Sequence, residues 1–161
     1  MKLQRIQNMS LAAVIALGIA VPYLASAALA DDHHHVVAAP DVTFNPGPPT
    51  LPAGAQVAVL LGSPAKEGPF VIRLKFPAGY VIPPHRHSKE EHVTVISGGF
   101  GMASGEKFDA AAPVLPAGSF VQIPVGQAHF AWTEEGAVVQ INGMGPFGIE
   151  YVEPKDDPRT N

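Results

Sequence analysis

The sequence predicts an all-β domain, an antiparallel sandwich or barrel, on three observations. Short runs rich in β-branched and aromatic residues recur from about Ala55 onward. Clusters of turn formers separate them: Pro77-Ala-Gly79, Gly98-Gly99, Ser104-Gly105, Pro116-Ala-Gly118, Pro124-Val-Gly126, Glu135-Gly136 and Gly143-Met-Gly-Pro146. No stretch after the first 30 residues sustains an apolar period of 3.6, and only Glu106 to Ala112 could make a helical turn. Many short strands joined by frequent Gly and Pro turns leave little room for helical layers.

Read in chain order, residues 1–30 have the form of a secretory signal peptide. Lys2 and Arg5 start it, Leu11 to Val21 is apolar, Pro22 breaks the run, and Ala28-Leu29-Ala30 is a small-x-small cleavage site. Ser10 to Ala30 carries no charge and could nearly span a bilayer as an uncleaved anchor; Pro22 and the Ala-x-Ala site favour cleavage. Residues 31–52 read as a Pro-rich linker, because Pro40, Pro46, Pro48, Pro49 and Pro52 forbid a regular helix. The domain is expected over 53–152. Within it Val57 to Leu61 is an apolar run. Phe70 to Phe76 alternates, with Phe70, Ile72, Leu74 and Phe76 on one face and Arg73 and Lys75 on the other. His92 to Ser97, Phe120 to Ile123 and Ala137 to Ile141 are further strands. Residues 153–161 are charged and Pro-rich, the composition of a flexible tail.

Cleavage after Ala30 would leave 8 basic against 14 acidic residues, a net charge of −6, and place the protein in the periplasm or outside the cell. Nucleic acid is thereby an unlikely partner, since no basic patch remains to neutralise phosphates. Membrane attachment after cleavage is not expected either, as no polybasic tract is present. Cysteine is absent, so any metal must be held by nitrogen and oxygen.

Such donors occur in two segments. Gly79-Tyr-Val-Ile-Pro-Pro-His85-Arg-His87-Ser-Lys-Glu-Glu91 leads through a strand to Gly98, and Gly118-Ser-Phe-Val-Gln-Ile-Pro124-Val-Gly126 leads to His129. His85, His87, Glu91 and His129 offer three imidazoles and a carboxylate, a set suited to one first-row divalent ion (Fe, Mn, Zn, Ni or Cu). If residues 85–95 run extended, the odd-numbered His85, His87 and Glu91 share a face with Val93 and Val95. Parity then puts Glu90 and His92 outside and favours Glu91 as the ligand. A tetrahedral site would be closed and structural; a five- or six-coordinate site would keep positions for substrate.

These segments resemble the two motifs of the cupin superfamily. Gly79, His85, His87, Glu91 and Gly98 match the first at every spacing. Gly118, Pro124, Gly126 and His129 match the second, while the terminal Asn of that motif is replaced by Thr133. The remaining text, especially Gly68-Pro-Phe70 and Phe76-Pro-Ala-Gly-Tyr80, resembles small, single-domain, secreted bacterial cupins. The resemblance implies an antiparallel double-stranded β-helix, or jelly-roll barrel, a divalent metal at those four residues, and often a homodimer.

Phe70, Ile72, Leu74, Tyr80, Ala131, Thr133, Gln140 and Asn142 are expected to face the pocket, with Tyr80, Gln140 and Asn142 able to orient a ligand. Phe130 and Trp132 have the opposite parity to His129 and should pack on the outer face, or against a second subunit. A new N-terminus Asp31-Asp32-His33 would also carry the donors of a square-planar copper or nickel site, against the plainer reading of a solvated tail. No Ser or Cys nucleophile triad is evident; Ser88, Ser97, Ser104 and Ser119 lack a His–Asp partner outside the motifs. Three functions remain: a metal-dependent enzyme on a small oxygenated organic molecule (dioxygenase, isomerase or hydrolytic type) with Glu91 as a candidate base, a non-catalytic binding barrel, or a barrel with a structural metal.

Overall fold

A computed structural model describes residues 34–160. Its strands in chain order are β1 (Asn45–Pro46), β2 (Gln56–Leu61), β3 (Gly68–Phe76), β4 (Tyr80–Arg86), β5 (Glu91–Gly98), β6 (Phe100–Ser104), β7 (Val114–Leu115), β8 (Phe120–Ile123), β9 (His129–Thr133), β10 (Ala137–Gly145) and β11 (Glu150–Tyr151). They form two antiparallel sheets, one ordered β1-β2-β3-β10-β5-β8 and the other β11-β4-β9-β6-β7. The core lies between them. The alternation read in β3 holds, with Phe70, Ile72, Leu74 and Phe76 buried. Phe76 stacks on Tyr80 at 4.8 Å and on Phe100 at 5.6 Å, joining the two sheets.

Three expectations need correction. Glu106 to Ala112 is not helical: the Asp109 carboxylate accepts from the Ala111 amide at 2.9 Å, the local bond by which Asp favours a turn. From Asn45 onward the expected linker joins the barrel instead. Prolines bar a helix but not an edge strand, so Asn45 and Pro46 pair with Val57 and Gln56, Leu51 packs on the core, and the Thr50 and Pro52 carbonyls accept the Tyr151 and Tyr80 hydroxyls. The expected flexible tail forms two 3-10 turns, Pro154–Asp156 and Pro158–Thr160, in which Arg159 binds the Asp157 carboxylate and reaches the Ile149 carbonyl at 3.3 Å.

The run from 85 to 95 is also not one strand. The chain leaves one sheet at Arg86, turns, and enters the other at Glu91. Within β4 the inward residues Tyr80 and Ile82 are even-numbered, whereas His85 is odd. A bulge between Ile82 and His85, at Pro83-Pro84, resets the phase: Ile82 pairs with Ala131, but His85 pairs with His129. A bulge of this kind re-aims a side chain, here into the barrel.

Turn glycines hold this frame. Gly98 has φ +77°, and a Cβ there would lie 2.2 Å from the Gly136 carbonyl oxygen, so only glycine fits. Thr133, in place of the motif Asn, secures its own turn: its hydroxyl donates to the Gly99 carbonyl at 2.8 Å and accepts from the Gly136 amide at 3.1 Å. On the outer face of the second sheet, Phe130 and Trp132 are buried as expected for that face. Their cover is Phe108 of the chain's own loop, 5.4 and 5.7 Å away. Trp132 is the sole tryptophan. Phe108→Ala should therefore red-shift the intrinsic fluorescence and lower stability by about 1 kcal/mol, since Phe108 is itself half exposed, while leaving the inner face unchanged. An unshifted emission maximum would contradict this packing.

Candidate metal centre

His85, His87, Glu91 and His129 meet inside the barrel, all at 8 % exposure or less. Each arrives by a different device. His85 follows the β4 bulge, His87 lies just past the end of β4, Glu91 opens β5, and His129 opens β9. The second motif's turn clamps the first: the Gly126 amide donates to the His87 carbonyl at 2.9 Å, and the Arg86 guanidinium donates to the Gly126 carbonyl at 2.7 Å. Gly126 has φ +72°, which suits glycine at this turn.

The three rings are oriented alike. The Nδ1–H of His85 donates to the Pro83 carbonyl at 2.7 Å, that of His87 to the Gly148 carbonyl at 2.6 Å, and that of His129 to the Gln127 carbonyl at 3.0 Å. A ring whose Nδ1 proton is so committed turns its Nε2 lone pair inward, the orientation that metal-binding histidines require. One nitrogen from each ring lies within 4.8 Å of the others. Glu91 Oε2 is 3.4 Å from His87 Nε2 and 3.3 Å from His129 Nε2.

All three of those atoms are buried without a hydrogen-bond partner. Burial alone would raise the Glu91 pKa, but the adjacent His129 and His87 rings, when protonated, outweigh it and bring it to about 2. His85 is driven the other way from its ordinary value, to about 3, by burial first and then by repulsion from His129 and His87; the Pro83 carbonyl and Glu91 only partly offset this. A buried carboxylate thus faces two imidazoles whose lone pairs point at it. Such a cluster is stable only with a positive charge among its members, either extra ring protons or a cation. The donor set, its convergence and its orphaned atoms fit a divalent metal, which would leave the site near +1.

A cavity of about 20 Å³ adjoins the centre, with room for about one water-sized ligand. His85, Glu91 and His129 face it, and Leu74, Phe76, Ile82, Val93, Phe100 and Ile141 are among its apolar walls. Three sequence-based candidates are not there. Gln140 and Asn142 lie on the outer face of β10, where Arg73 Nε donates to Gln140 at 3.2 Å and Gln140 to Asn142 at 3.4 Å; the inward residues of that strand are Val139 and Ile141. The alternation Val139-Gln-Ile-Asn142 carries that signal, with its polar members on the solvent side. Tyr80 is a core residue whose hydroxyl is spent on the Pro52 carbonyl, and burial raises its pKa further. Glu90 and His92 are outside, bound to each other at 2.7 Å, and Gln122 donates to Glu90 at 2.7 Å. Asp31, Asp32 and His33 lie outside the described residues. What the sequence did not disclose is the set of carbonyls that orient the rings, and Phe147, which stacks on His87 at 4.4 Å.

Among the described residues, no helix is long and apolar enough to cross a membrane. No curated protein sequence matches the chain. Solved structures do. The polyketide cyclase RemF of Streptomyces resistomycificus is 18 % identical, with 78 % of this chain and 90 % of that one covered at a TM-score of 0.61. A candidate acetylacetone dioxygenase of Methylibium petroleiphilum is 18 % identical, covering 80 % and 88 %, also at 0.61. An RmlC-like cupin of Shewanella frigidimarina is 17 % identical, covering 70 % and 91 %, at 0.54. Likeness at such identities carries the fold and no activity. Residues 32–147 match the ChrR cupin-like domain. With the two-sheet barrel and its cluster of three histidines, that match makes the chain a member of the ChrR cupin-like family of cupins.

Proposed function

We propose that this protein is a metal-dependent cupin enzyme acting on a small oxygenated organic molecule. The observation that carries the reading is the trio of buried, unpartnered atoms, His87 Nε2, His129 Nε2 and Glu91 Oε2, beside His85. These four side chains would hold one divalent ion. When bound, it would supply Lewis acidity toward an oxygen atom of the ligand. The chain's own residues define the rest. The apolar wall keeps bulk water from the centre. Thr133, Tyr80 and Tyr151 are also buried, and their hydroxyls are engaged with the Gly99, Pro52 and Thr50 carbonyls. A proton moving to or from the ligand must therefore pass through Glu91 or an imidazole. Of the dioxygenase, isomerase and hydrolytic types, this favours the first: a cavity of about 20 Å³ has room for dioxygen beside the centre, and the titratable groups that line it are all candidate metal ligands.

The same small cavity supports a second reading, a non-catalytic barrel that binds metal or a small ligand. Cobalt(II)-loaded protein separates them. For an enzyme, azide or a chelating acid should shift the visible spectrum by taking an exchangeable position; a spectrum indifferent to every added ligand would sink the enzyme reading. The proposal includes export, which predicts a mature N-terminus at Asp31 by mass spectrometry, and a homodimer by size-exclusion chromatography with light scattering.

A further inference from the structure

We propose that the strap from Pro146 to Val152 positions His87 as a metal ligand, with Phe147 as the positioning residue, so that the strap sets whether the centre uses three imidazoles or two. This rests on the reading that His85, His87, Glu91 and His129 hold a metal.

The rings of His85 and His129 are steered locally, each by the carbonyl two residues earlier, Pro83 and Gln127. His87 differs. It lies outside the strands, in the link between the two sheets, and its steering carbonyl is that of Gly148, 61 residues away in sequence. The strap touches the ring twice: the Gly148 carbonyl accepts a hydrogen bond from Nδ1–H, and Phe147 lies nearly parallel to the imidazole, with 21° between planes. Phe147 also meets the buried ring of Phe70 at 5.3 Å. The terminal torsion of histidine is broad, so a ring on a link needs such contacts to present Nε2 inward.

The strap is itself secured at points independent of His87. The Phe147 amide donates to the Pro64 carbonyl at 2.7 Å and the Val152 amide to the Pro84 carbonyl at 2.9 Å. The Tyr151 hydroxyl donates to the Thr50 carbonyl at 2.8 Å. β11 pairs with β4, placing Tyr151 opposite His85. The family match ends at residue 147, so Gly148 to Tyr151 lie beyond the matched span. The third imidazole therefore depends on a segment outside both sequence motifs.

Cobalt(II) titration of the full chain tests this. Phe147→Ala should weaken binding by about 10- to 100-fold, the usual cost of losing a partner that orients a ligand, and Phe147→Tyr should restore it. In a His87→Ala background the same Phe147→Ala change should cost nothing more, because the ring it holds is gone. Equal losses in both backgrounds, or none in either, would overturn the proposal. Phe147→Leu keeps packing against Phe70 without the ring stack and serves if the alanine variant fails to fold. Nitrogen-15 spectra of the metal-free protein give a second readout. The His87 Nδ1 proton, held by the Gly148 carbonyl, should exchange slowly with solvent in the wild type and faster in the Phe147 variants; an unchanged exchange rate would count against the strap. Wild-type protein that takes up no cobalt(II) would overturn the metal reading itself, whereas a failed double-mutant cycle removes only the role of the strap.

Discussion

Stripping the protein of metal should lower its melting temperature by roughly 10–20 °C, relative to protein kept at about 1,000 times the metal dissociation constant. Binding to the folded state alone contributes about 4 kcal/mol at that concentration. The unfolded chain cannot assemble the site, because its ligands come from β4, the link after it, β5 and β9. Within the metal-free fold the same four residues are a liability, since Glu91 and two imidazoles have buried atoms without partners. Calorimetry with and without a chelator measures the difference. His85→Ala combined with His87→Ala should abolish it, and elemental analysis should find metal in the wild type only. A melting temperature indifferent to the chelator would mean these residues do not hold a metal.

Acid should destabilise the metal-free protein in two overlapping steps. His85 is buried, and its pKa falls from the ordinary 6.5 to about 3. Between those values the unfolded chain binds a proton that the folded protein refuses, so stability falls as the pH drops through that window. Glu91 acts in the same direction: its folded pKa of about 2 lies below the ordinary 4.5, so its contribution is present above pH 4.5 and is lost toward pH 2. The His85 step alone is on the order of 3 kcal/mol after allowance for relaxation of the site. Urea denaturation at pH 7, 5.5 and 4.5 should show the decline, and His85→Leu should flatten it between pH 6.5 and 4.5. Constant stability from pH 7 to 4 would contradict the burial of a neutral imidazole. Metal-loaded protein should converge on the metal-free curve in acid as protons displace the metal from its ligands.

Much of the site was legible because its local geometry is encoded locally. Glu91 is preferred to Glu90 by its position at the start of β5, where it shares the inward face with Val93 and Val95. Gly98 and Gly126 mark turns that need positive φ whatever the rest of the chain does. The spacing from Gly118 to His129 accommodates β8 and the tight turn that delivers His129 to β9. Gln140 and Asn142 were legible too, but the alternation had to be anchored on Val139 and Ile141 rather than on the polar residues themselves.

The route by which His85 and His87 reach the centre was not legible. Equal parity across 85–91 put them beside Glu91 on a single extended strand, whereas the chain bulges at Pro83-Pro84 and changes sheets after Arg86. Phase along a strand is a local property; a bulge is resolved by the partner strand, here β9, whose His129 pairs with His85. The Pro-rich segment before β2 was similarly ambiguous. Its composition forbids a helix, but only contacts with β2, Tyr80 and Tyr151 decide that it joins the barrel.

By itself, then, the sequence determined the all-β class, the donor types of the candidate centre and the turns between strands, because periodicity, side-chain chemistry and positive φ act over a few residues. Tertiary structure decided which atoms converge. The Gly148 carbonyl and the Phe147 ring reach His87 from 61 and 60 positions away, and the apolar wall comes from both sheets. Contacts between distant segments depend on how the sheets close on each other, and no short stretch of the chain contains that information.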